Sequence, residues 1–139
     1  PIGNQVRHIL IIFSIFLFNL TVISCSSSDD GASTTTDTTA PTVSSFYPTD
    51  NQTILISDNI SVIFSESMDN TSVTTNTSNT SCSGSFQLSS DNFSSCILIS
   101  SAPSISNSNK TFSIDPSDNL SLLTTYRIRV TTGVMDSFG

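Results

Sequence analysis

Hydrophobic residues are distributed along the chain in three regimes. Ile9-Leu10-Ile11-Ile12-Phe13-Ser14-Ile15-Phe16-Leu17-Phe18 is an almost unbroken apolar run behind Arg7 and His8. Residues 26–39 contain no large apolar side chain at all. From Ala40 onward short alternating runs are separated by turn residues, the pattern of strands with one buried and one solvated face. Ile60, Val62 and Phe64 share a face within residues 60–64, Phe86 and Leu88 within 84–88, and Phe112 and Ile114 within 110–114. In residues 126–130 Tyr126, Ile128 and Val130 point inward and both Arg127 and Arg129 outward. Asp-Asn pairs at 50–51, 58–59, 69–70, 91–92 and 118–119 supply turn chemistry between the runs, because both side chains bond to nearby backbone. No stretch sustains a helical period. The pattern predicts an all-β, antiparallel sandwich over residues 40–139.

Composition sharpens this reading. Ser, Thr and Asn dominate, hydrophobic residues make up 36%, and helix-forming Glu, Lys, Arg and Ala are scarce, which favours strands and turns. The net charge is −7, and beyond the leader the only cations are Lys110, Arg127 and Arg129. Nucleic acid is excluded as a partner, since phosphate binding needs clustered Lys and Arg.

The apolar run is too short to cross a bilayer comfortably and has the length of a signal-peptide core. Val22-Ile23-Ser24-Cys25 resembles the bacterial lipobox: an aliphatic residue, small residues nearby, then cysteine. Val22 stands where leucine is commoner. The resemblance implies a signal peptide over residues 1–24, cleavage between Ser24 and Cys25, and a diacylglyceryl thioether on Cys25 that anchors the chain in a membrane. A transmembrane anchor or a plain secretory signal is the alternative, and the polar tract behind Cys25 argues against it. Each buried methylene of an acyl chain contributes about 0.8 kcal/mol, so two or three chains hold a protein stably. Ser26 follows the cysteine where Asp would signal inner-membrane retention, so the expected address is the outer membrane or cell surface. Residues 25–39, with too little apolar surface to offset the entropy of ordering, are expected to form a disordered Ser/Thr/Asp-rich tether.

Several spaced motifs occur in one order: Asp37-Thr38-Thr39-Ala40-Pro41-Thr42-Val43, Tyr47-Pro48-Thr49-Asp50, Val62-Ile63-Phe64-Ser65-Glu66-Ser67-Met68-Asp69, residues 120–130, and Gly133-Val134-Met135-Asp136-Ser137-Phe138-Gly139. Together they resemble the SbsA-type bacterial Ig-like domain of S-layer proteins, from Asp37 to the end of the sequence. The resemblance implies a seven-stranded immunoglobulin-like sandwich, used as a spacer or binding module in exported proteins and often found in tandem, with no catalytic residues to carry over. In that family a final strand follows the segment matched by residues 136–139, so the domain is expected to be C-terminally incomplete here, with an internal strand left as an edge. The stretch from Leu120 to Tyr126 is also similar to a tyrosine corner, in which a tyrosine hydroxyl bonds back to the preceding loop.

Lipidation of Cys25 leaves Cys82 and Cys96 as an even pair in an oxidising compartment, and a disulfide is expected between them. A redox role is the weaker alternative, with no Cys-x-x-Cys spacing and no basic neighbour to lower a thiol pKa. The sole histidine, His8, leaves with the leader, which excludes Ser-His-Asp, Cys-His and histidine-based zinc sites from the mature part. Glu66 and Asp69 are a conceivable pair of glycosidase carboxylates but read better as loop and cap residues. Asp50, Asp58, Asp115, Asp118 and Asn119 could converge as hard oxygen ligands for calcium, although no ligand spacing is present and Asx turns explain them as well. Asn-x-Ser/Thr triplets such as those at Asn51, Asn76 and Asn92 follow from the composition. No cofactor is expected.

Two functions compete at this point. One is a non-catalytic envelope lipoprotein whose sandwich serves as a structural, adhesive or binding module toward a protein or glycan. The other is the accessory front domain of a larger exported hydrolase.

Overall fold

The computed structural model describes residues 37–139; the expected signal peptide, Cys25 and most of the tether lie outside the described residues. Six strands follow one another: β1 (Val43–Tyr47), β2 (Ile60–Phe64), β3 (Phe86–Ser89), β4 (Ser104–Ser106), β5 (Thr111–Ile114) and β6 (Arg127–Val130). They form a four-stranded sheet in the order β1-β2-β5-β4 and a two-stranded sheet β3-β6, and every pairing is antiparallel. This is an Ig-like sandwich, with six strands among the described residues where the family resemblance implied seven.

Alternation builds the core as the sequence predicts. Ile60, Val62 and Phe64 of β2 stand beside Phe112 and Ile114 of β5, in the register Ile60↔Ile114 and Val62↔Phe112, and all five are buried. Phe86 and Leu88 of β3 close the core from the other sheet, and Met68, Val73, Ile99 and Leu120 fill in from loops. The Phe64 and Phe112 rings meet edge to face at 5.8 Å between centroids, a geometry that adds about 0.5–1.5 kcal/mol beyond area burial. The polar faces of the same two strands are joined by the Ser61 and Ser113 hydroxyls, 2.6 Å apart.

Two strands escaped the alternation pattern. All five residues of β1 and all three of β4 are exposed. Both are edge strands, and β1 carries an irregularity between Val43 and Ser45 that breaks its period of two. A third difference concerns β3. Alternation puts Gln87 and Ser89 on a solvated face, yet they are only 3% and 0% exposed, because the chain on either side of β3 folds over its outer face.

Local chemistry fixes the connections. The Tyr126 hydroxyl accepts the Ser121 N–H at 2.8 Å, which is the tyrosine corner, and so ties the entry of β6 to its own loop. The final segment is held by Asp69 N–H to Met135 O and Ser137 N–H to Ser67 O, both at 2.9 Å, around the Met68↔Asp136 bridge. Gly84 allows the tightest approach. It has φ +85°, and a Cβ there would lie 2.8 Å from the Thr74 carbonyl oxygen, which accepts the N–H groups of Ser85 and Phe86. Gly84→Ala is therefore expected to destabilise the domain by about 1–3 kcal/mol through forced backbone movement. A thermal melt of the variant checks this, and an unchanged midpoint would contradict the close approach.

Candidate functional site

The acidic residues singled out from sequence are engaged in local structure. Asp69 Oδ1 accepts both the N–H and the hydroxyl of Thr71 at 2.8 Å. Those two bonds hold its carboxyl below the ordinary 3.8, so it is an ionised turn acceptor and unsuited to donate a proton. Glu66, the other carboxylate of that pair, accepts a long 3.5 Å bond from the neighbouring Ser65 hydroxyl. Asp58 Oδ2 accepts the Leu55 N–H at 3.0 Å and the Tyr47 hydroxyl at 3.3 Å. Loss of solvation, and then the charge of Asp58, push the Tyr47 phenol upward.

The calcium candidates fall in three places, Asp58 being the one already bonded to Leu55 and Tyr47. Asp115, Asp118 and Asn119 border a small hollow with Ser57 and Pro116. Asp50 instead lines the larger cleft described below. Among the described residues no three of His, Cys, Asp and Glu converge as a metal ion would require.

A built polar cluster lies where β3 and β6 turn their outer face, and it is braced by a disulfide between Cys82 and Cys96. Gln87 Nε2 donates to the carbonyls of Gly84 at 2.8 Å and Cys82 at 3.1 Å, and its Oε1 accepts from Arg129 Nε at 2.8 Å. The Arg129 guanidinium also stacks 3.9 Å from the centroid of the Phe93 ring, a cation–π contact. Arg127 Nη1 donates to Asn92 Oδ1 at 2.9 Å. The two arginines thus point outward as expected, but they clamp the loop after β3 and do not simply face water.

Ser89 is the hub of that loop. Its Oγ accepts the N–H groups of Asp91 and Phe93 and lies 2.7 Å from Ser95 O and 2.8 Å from Asp91 Oδ1. These bonds hold Asn92 and Phe93 in left-handed backbone at φ 61° and 65°, an uncommon conformation for a ring-bearing residue. Asp91 gathers the Ser95 hydroxyl at 2.6 Å and the Ser95 N–H at 2.9 Å. The hydroxyl bond first, then the backbone bond, then Ser89 bring its pKa down from 3.8 to about 2. Of Gln87, Ser89, Asp91, Asn92 and Phe93, only the Asp-Asn pair gave a sequence signal, as a turn.

The second feature is apolar. Between β1 and β6 the two sheets stand apart, leaving a cleft of about 1010 Å³ lined by Val43 and Phe46 on one side, Ile60, Val62 and Leu88 at its floor, and Ile128 and Val130 on the other. The loop before β6 projects Leu122 and Leu123 at its mouth, 77% and 108% exposed.

A family model described as the bacterial Ig-like domain matches residues 37–139. The chain belongs to this family. Two solved structures share the fold of this Ig-like domain. The crystal structure of the S-layer protein rSbsC(31-844) is 21% identical at a TM-score of 0.50. The structure of surface layer protein SbsC, domains 1-6, is 19% identical at 0.51. Each match covers 73% of this chain but only 12% of the S-layer chain. No curated protein matches the sequence.

In this Ig-like domain the disulfide and Asp91 act on one loop, by different physics. The disulfide spans 14 positions, so replacing both cysteines with serine should cost about 3 kcal/mol by restoring freedom to the unfolded chain; denaturant unfolding of the Cys82→Ser, Cys96→Ser double variant measures it. Asp91 has a folded-state pKa depressed from 3.8 to about 2. Its contribution is complete above the unfolded value and is lost as pH falls toward the folded one. The wild-type melting temperature should therefore drop more steeply than that of Asp91→Asn as pH falls from about 4 to about 2. Parallel curves would show that the loop does not depend on the charge.

Proposed function

We propose that the chain is a non-catalytic cell-envelope lipoprotein: a lipid anchor at Cys25, a flexible tether, and an Ig-like domain that serves as a structural, adhesive or binding module at the outer membrane or cell surface. The observation that carries this reading is the disulfide between Cys82 and Cys96 in a domain of the bacterial Ig-like family. Such bonds persist in oxidising compartments and are rare in the cytosol, which supports export, and export is what the apolar run at residues 9–18 and the Val22-Ile23-Ser24-Cys25 sequence serve.

The domain suits presentation better than chemistry. Its ionisable groups go into turns and clamps: Asp69 and Asp91 hold loops, Arg129 stacks on Phe93, and Lys110 Nζ donates to Ser65 O at 3.2 Å. Residues 26–39 as a random coil would span roughly 20 Å, from about 5–6 Å times the square root of the residue number. That reach sets the domain off the bilayer while keeping it beside it.

Cells expressing the chain and fed a clickable fatty acid should label it at Cys25, and the Cys25→Ser variant should lose both the label and its place in the membrane fraction. Absence of label on the wild type, or label that survives Cys25→Ser, would sink the lipoprotein reading.

A further inference from the structure

We draw no further inference here: the strongest candidate, the outward guanidinium pair of Arg127 and Arg129 on β6, which Asn92, Gln87 and Phe93 hold side by side as an anionic ligand would require, lies next to the position at which the Ig-like fold carries a further strand, and nothing in the structure shows what covers it.

Discussion

A two-stranded ribbon is marginal in water, and among the described residues β3–β6 is such a ribbon. The sandwich exists because this ribbon is covered on both faces. Phe86 and Leu88 meet β2 and β5 on the inner side, while Gln87 and Ser89 are buried on the outer side by chain that approaches from before and after β3. The outer cover needs polar matching, since a buried amide or hydroxyl without partners costs about 1–3 kcal/mol. Gln87 meets this with two carbonyls and Arg129, and Ser89 with two N–H groups and Ser95 O.

The same requirement explains how a chain of net charge −7 uses its few cations. Lys110, Arg127 and Arg129 each donate to a neutral acceptor, and Arg129 adds the Phe93 ring. Their task is to close loops over strands. The carboxylates of Asp69, Asp91 and Asp136 act likewise, each accepting backbone N–H groups a few residues on in the chain. Ionisable groups here hold several of the loops in which the chain leaves the regular ladder.

Half-buried strands are legible in sequence because burial on one face forces a period of two, and β2, β5 and β6 declare themselves that way. The corner formed by Tyr126 and Ser121 was legible too, because it depends on residues five positions apart. β1 and β4 were not, since both faces of an edge strand remain exposed and no alternation is imposed. The cover over Gln87 was illegible for another reason. Its partners lie at Cys82, Gly84 and Arg129, and only the closed loop and the β3–β6 register bring them together. The acidic candidates shared composition but not location: Asp58 turned to Tyr47 and Leu55, while Asp115 and Asp118 stayed at a hollow with Ser57.

The exposure of β1 also bears on mechanics. A chain joined to its surroundings through the residues before Val43 transmits any pull through the Thr42–Ser65 bonds into β1, which among the described residues pairs with β2 alone and has no buried side chain to retain it. Load would therefore peel β1 first, while the clamped ribbon and its covalent loop stay closed. Such an arrangement yields a short extension early under tension and keeps the remaining strands folded behind it.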